Sequence, residues 1–164
     1  LKIWHEASVT FRFDITPMPA LDNSPARILV IEDNTDDQAM LLRQLQKSGI
    51  QDRVLCVDDG NDAMDLVRTG AQKLSAVCAI FLDLSLPGVD GLLLLQAIRS
   101  NVETALLPVF IMTGSTNPQD EAECKRLGAT SFISKSLLAL PAFRSTITEM
   151  FRSSRPSPDL PQQE

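Results

Sequence analysis

Acidic and other polar residues stand where apolar runs stop. The run "ILVI" at 28–31 gives way to Glu32 and Asp33, "VCAIFL" at 77–82 to Asp83, "VFIM" at 109–112 to Thr113 and Gly114, and "SFIS" at 131–134 to Lys135. An unpaired carboxylate buried at the end of such a run is costly or is forced to take up a proton. Three carboxylates brought within a few Å of one another stay ionised only around a cation. All-oxygen donors suit a hard divalent ion such as Mg²⁺, which keeps several waters and takes one or two carboxylates plus phosphate oxygens. A lysine and a hydroxyl opposite the metal would bind the oxygens of a transferring phosphoryl group, a reaction in which positioning and charge neutralisation supply most of the catalysis. Asp83, central in the set, is the candidate nucleophile.

Singly, each residue has a plainer role. Glu32 and Asp33 read as loop acids ahead of a helix capped by Asn34 or Thr35, Asp83 as a strand end, Thr113 as a turn hydroxyl and Lys135 as a solvated charge. Asp58-Asp59-Gly60, after the run "VLCV" at 54–57, reads as a turn and no more. What raises the others above that level is their coincidence at four strand ends, because ligands of open parallel sheets gather at the carboxyl ends of the strands.

The elements that must position them are legible. The five apolar runs are four to six residues long and mostly unalternated, as in strands covered on both faces. Amphipathic segments separate them. Residues 36–47 carry Leu41, Leu42 and Leu45 and close at Gly49; 61–68 close at Gly70; 92–99 follow Gly91; and 118–127 open on Pro118 and close at Gly128. A last helix starts near Pro141 and places Phe143, Ile147, Met150 and Phe151 on one face. Strand alternating with helix predicts an α/β fold with a doubly wound five-stranded parallel sheet. The run Leu92–Leu95 spreads apolar side chains around most of a helical turn, so at least one is expected at the surface, as part of an untidy core helix rather than a contact face.

The chain is divided into 1–25, an extension or the end of a preceding domain plus linker; 26–152, the α/β domain; and 153–164, a Pro- and Ser-rich tail expected to be disordered. Starting at Leu1, it reads as a fragment or a processed form. A net charge of −6 and the lack of a Lys/Arg cluster argue against direct nucleic-acid binding. The cysteines, Cys56, Cys78 and Cys124, are dispersed and the only histidine is His5, so no zinc site is expected, and a reducing, cytoplasmic setting is. No long apolar stretch or leader pattern suggests a membrane association.

With "ILVIEDN" (28–34), "FLDLSLPGVDG" (81–91), "MTGS" (112–115) and "FISKS" (132–136) in that order, the sequence resembles the receiver domain of bacterial two-component response regulators over about residues 26–152. It is more loosely similar to the single-domain receivers linked to phytochrome kinases. The resemblance implies a flavodoxin-like sheet of order 2-1-3-4-5. It also implies phosphorelay signalling in which Asp83 accepts a phosphoryl group from a partner histidine kinase or phosphotransfer protein. Such a domain assists its own phosphorylation and dephosphorylation and is not a turnover enzyme. By the same resemblance Asp33, Asp83 and the backbone carbonyl of Ser85 hold Mg²⁺, Glu32 acts through water, Lys135 pairs with the phosphoryl oxygens, and Thr113 and Phe132 are switch residues. Output passes to a downstream protein partner or a homodimer.

Three departures stand out. Ser136 occupies a position where most receivers have proline, often after a cis bond that would cost a serine about 3–4 kcal/mol. Gly114 replaces the common alanine, which would admit water and shorten the life of a phosphorylated state. Phe132 lacks the hydroxyl of the commoner tyrosine. "SVTFRFDITP" near the start also resembles the last strand of a histidine-kinase ATPase domain, which would make this the receiver portion of a hybrid kinase. An Asp-nucleophile phosphohydrolase fits poorly, since its second Asp would fall at Ser85. A flavodoxin-type cofactor binder fits poorly too, since "EDNTDD" would repel a phosphate without a metal. A degenerate, unphosphorylated scaffold has no support from the residues present.

Overall fold

The computed structural model describes residues 27–49, 54–115 and 117–152. The extension and tail at 1–25 and 153–164, and so the kinase-like "SVTFRF", lie outside the described residues. Five strands run β1 (Arg27–Ile31), β2 (Val54–Val57), β3 (Val77–Asp83), β4 (Val109–Thr113) and β5 (Ser131–Ser134). Between and after them come α1 (Thr35–Lys47), α2 (Gly60–Thr69), α3 (Ala71–Leu74), α4 (Gly91–Ser100), α5 (Pro118–Arg126) and α6 (Pro141–Arg152). The sheet is wholly parallel in the order β2-β1-β3-β4-β5. The doubly wound, flavodoxin-like order is therefore the one the resemblance implied.

Alternation along each strand divides the core into two layers. Leu29, Ile31, Ile80, Leu82, Val109 and Ile111 face α2 to α5 through Ala63, Val67, Leu74, Leu94, Leu95, Ile98 and Cys124. Ile28, Val30, Ala79, Phe81, Phe110, Met112 and Ile133 face α1 and α6 through Leu41, Leu45, Phe143 and Ile147. Both faces of the inner strands β1, β3 and β4 are dry, which is why they read as unbroken apolar runs, whereas the edge strand β2 is only half-buried and leaves Cys56 exposed. Phe81 and Phe110, register partners, add a tilted ring contact at 5.2 Å between centroids.

Local chemistry sets the helix ends. Asn34 caps α1, its side chain accepting from the backbone N–H of Asp36 and Asp37, while Gly49 just beyond takes a left-handed φ of 76°. Asp59 is an N-cap rather than a turn residue: its carboxylate accepts from the N–H groups of Asn61 and Asp62, and Gly60 is already helical. The four-residue α3 was not anticipated, because it is too short to show a period. Of the leucine run in α4, Leu94 and Leu95 are fully buried, whereas Leu93 is 57% exposed, the one surface leucine that the run implied. In α6, Phe143 and Ile147 are buried as read; the side chains of Met150 and Phe151 lie outside the description. No described helix is long and apolar enough to cross a membrane.

Candidate functional site

The carboxyl edge of the sheet gathers the residues singled out from the sequence. Asp83 is the last residue of β3, one position inside the strand rather than beyond it, and is 1% exposed. Glu32 follows β1 directly, is fully buried, and is tied to the edge of β2 by its N–H to Val57 O. Asp33, beside it, is half-buried. One carboxylate oxygen from each of Glu32, Asp33 and Asp83 lies within 4.8 Å of the others.

Lys135 approaches this cluster from the end of β5. Its Nζ donates to Asp83 Oδ2 at 2.9 Å, to Glu32 Oε1 at 3.0 Å and to Asp37 Oδ2 at 2.8 Å. The other oxygen of Asp83, Oδ1, accepts from the backbone N–H of Ser85 at 2.9 Å, which fixes the plane of the carboxylate. Glu32 Oε1 also accepts from the N–H of Asn34. Glu32 Oε2 is buried and close to Nζ at 2.9 Å, but has no hydrogen bond of its own. A buried carboxylate oxygen with spare lone pairs, next to two further carboxylates, is a donor set that a hard divalent cation or a water bound to one satisfies.

The electrostatics follow from this crowding. Burial drives the Glu32 carboxyl up to about 7; the Lys135 hydrogen bond opposes the rise and the negative charge of Asp83 reinforces it. For Lys135, burial works against the ammonium, but hydrogen bonds to Asp37, Asp83 and Glu32 outweigh it and hold the amine above its usual range.

Thr113 lies on the same edge, whereas Phe132 pairs with Ile111, two residues back from it along the sheet. Thr113 ends β4, fully buried, with its hydroxyl accepting from the N–H of Ser115 at 2.9 Å. Phe132 in β5 is half-buried against the layer formed with α4 and α5. No cis peptide bond occurs among the described residues, so Lys135-Ser136 is trans and leads into a 3₁₀ turn over Lys135–Leu137.

Two residues that position Lys135 were missed from the sequence. Asp37 supplies the third acceptor to its ammonium, and the buried Gln44 donates Nε2 to Leu138 O at 2.7 Å, fastening α1 to the loop after the lysine. The signal was there: Asp37, Leu41, Gln44 and Leu45 share one helical stripe, and a polar residue on an apolar stripe needs a partner across it.

Taken together, the edge brings a hard-cation donor set and an ammonium to the carboxylate of Asp83, the two aids that a phosphoryl group needs. The sequence profile described as "Response regulator receiver domain" matches residues 28–147. The osmosensing histidine protein kinase SLN1 of Saccharomyces cerevisiae is 31% identical over 128 residues, which is 78% of this chain but only 10% of that kinase. The phosphorylated cyanobacterial phytochrome response regulator RcpA superposes with a TM-score of 0.69 at 27% identity, covering 83% of this chain and 100% of that one. The Mn²⁺-bound form of response regulator Rcp1 does so with a TM-score of 0.65 at 28% identity, covering 84% and 99%. This chain belongs to the response regulator receiver domain family.

Proposed function

We propose that Asp83 is the phosphoacceptor of a phosphorelay. The observation that carries this reading is the division of its buried carboxylate: Oδ1 is held by the Ser85 N–H and Oδ2 by the Lys135 ammonium, with Glu32 and Asp33 alongside. In the reaction an oxygen of Asp83 attacks the phosphorus of a phosphohistidine on a partner histidine kinase or phosphotransfer protein. The P–N bond breaks, its electron pair stays on the imidazole nitrogen, and an acyl phosphate forms on Asp83. Lys135 neutralises a phosphoryl oxygen as charge is transferred. Asp33, Asp83 and the Ser85 backbone carbonyl would hold Mg²⁺, with Glu32 reaching it through water; the ion supplies charge neutralisation between acceptor and phosphoryl oxygens. Thr113 and Phe132 then act as the switch: the hydroxyl, which accepts from the Ser115 N–H, turns to donate its own proton to a phosphoryl oxygen, and the ring of Phe132 follows it inward. The changed face passes the signal to a downstream protein or a second copy of the chain.

The likeness to part of SLN1, a kinase, favours a second reading for the context: this chain is the receiver portion of a hybrid histidine kinase. The coding sequence flanking Leu1 and Glu164 decides between that and a separate regulator.

The acceptor reading is tested with a small phosphodonor and Mg²⁺. Wild-type protein takes up one phosphoryl group per chain and binds beryllofluoride; Asp83→Asn does neither. Labelling that survives the substitution would overturn the assignment.

A further inference from the structure

The shortest contact of the Lys135 ammonium is to Asp37 Oδ2, at 2.8 Å, and Asp37 is not part of the cluster of Glu32, Asp33 and Asp83. An ammonium has three N–H donors, and Glu32, Asp37 and Asp83 take all three. A phosphoryl oxygen arriving on Asp83 is a further acceptor for a donor set already full, so one contact has to yield or be shared.

The three acceptors differ in what release costs them. Glu32 is fully buried and, once abandoned, would have no water to replace the ammonium. Asp83 carries the incoming group itself. Asp37 lies in the first turn of α1 with 28% of its side chain exposed, so water replaces the ammonium there at least cost. Its negative charge also bears differently on the two states: before phosphorylation it faces an ammonium that spares it one donor, and afterwards it faces the added charge of the phosphoryl group nearby.

We propose that Asp37 is a positioning residue that competes with the phosphoryl group for Lys135 and thereby lowers the affinity of the site for it. The proposal rests on the reading of Asp83 as acceptor. Asp37 touches neither Asp83 nor any reacting atom in the described contacts; it acts through the lysine.

The test is calorimetric titration of the full chain with beryllofluoride in saturating Mg²⁺, for wild type, Asp37→Asn and Asp37→Glu, at low and high salt. Asp37→Asn is expected to bind about fivefold more tightly at low salt, with the advantage shrinking as salt rises. Asp37→Glu, which keeps the charge, returns the affinity toward the wild-type value. Asp37 also sits at the N-terminus of a helix, where a carboxylate favours the helix dipole, so thermal unfolding is followed in parallel. A merely structural role would lower the melting temperature without tightening binding. Wild-type binding combined with equal or weaker binding by Asp37→Asn overturns the proposal. Absence of Mg²⁺-dependent binding in the wild type itself overturns the acceptor reading, and this proposal with it.

Discussion

Lys135 Nζ donates to Asp83 Oδ2 at 2.9 Å, joining residues 52 positions apart in the chain at the carboxyl edge of one sheet. The lysine neutralises a cluster that has no other cation among its described contacts, since Glu32, Asp37 and Asp83 all bond to it. Lys135→Met keeps the aliphatic stem and removes the charge. Glu32 and Asp83 then share a buried site with no ammonium to bond, one of them being forced to take up a proton, and a loss of about 3 kcal/mol in unfolding free energy is expected without metal. Millimolar Mg²⁺ restores part of that loss. Chemical denaturation with and without Mg²⁺ measures it, and equal stability of variant and wild type in chelator would contradict the account.

Glu32 makes the stability depend on pH. Its carboxyl is raised to about 7 from an ordinary 4.5, first by burial and then by the charge of Asp83, so the folded chain keeps a proton that the unfolded chain has lost. Stability is therefore fully present below about 4.5 and declines as pH rises toward and through 7, by about 3 kcal/mol in total. Lys135, raised above its usual range, stays protonated throughout that window and contributes a constant amount. Calorimetric melting temperatures of the protein in chelator should fall between pH 5 and about 7.5. Added Mg²⁺, by displacing the proton, should flatten the slope. A melting temperature that climbs over this range would rule the explanation out.

Gly114 is open to a side chain. A Cβ placed on it meets nothing within 4 Å, and its φ lies outside the left-handed range. Gly114→Ala should therefore fold normally and gain roughly 0.5 kcal/mol through the lower entropy of the unfolded chain. If water reaching the site past Gly114 limits the life of the acyl phosphate, the same variant dephosphorylates a few-fold more slowly. Decay of label after removal of the phosphodonor reads this out, and an unchanged rate dissociates Gly114 from the hydrolysis.

Gly91 is the reverse case. A Cβ there would stand 2.5 Å from Leu84 Cα and 2.7 Å from Leu84 O, so the start of α4 is pressed against the chain just past Asp83. Backbone is in the way, which cannot rotate aside. Gly91→Ala is expected to cost about 2–3 kcal/mol and to weaken beryllofluoride binding by moving the loop that carries Ser85. Unaltered melting and binding would show that the loop shifts freely.

Much of this molecule was readable from its residues, for a physical reason. The runs 28–31, 54–57, 77–82, 109–112 and 131–134 marked the sheet to within a residue at either end, and the inner three are apolar throughout because both their faces are covered, although the edge strand at 54–57 leaves Cys56 exposed. Glycine, proline and amide or carboxylate caps have local conformational causes, so the long helices were bounded by Asn34, Pro118 and Gly128 and the like. Glu32, Asp33, Asp83 and Lys135 were visible because a charge at the end of an apolar strand is out of place unless something pairs with it. The order of the strands came from the motifs' resemblance to a family and not from the periodicity, which says nothing about neighbours.

What local pattern leaves open is which side chains meet. That Asp37 rather than Asp33 or Asp36 takes the third donor of Lys135 depends on the rotation of α1 over the sheet, set by the burial of Leu41 and Leu45 against Ile28 and Val30. That Gln44 ties α1 to Leu138, and that Asp59 caps a helix instead of merely turning the chain, are likewise results of packing. Sequence determined where charge was needed and which residue types met the need. The tertiary structure alone decided how one ammonium was shared among three carboxylates, because that division is settled by distances of a few tenths of an ångström between elements far apart in the chain.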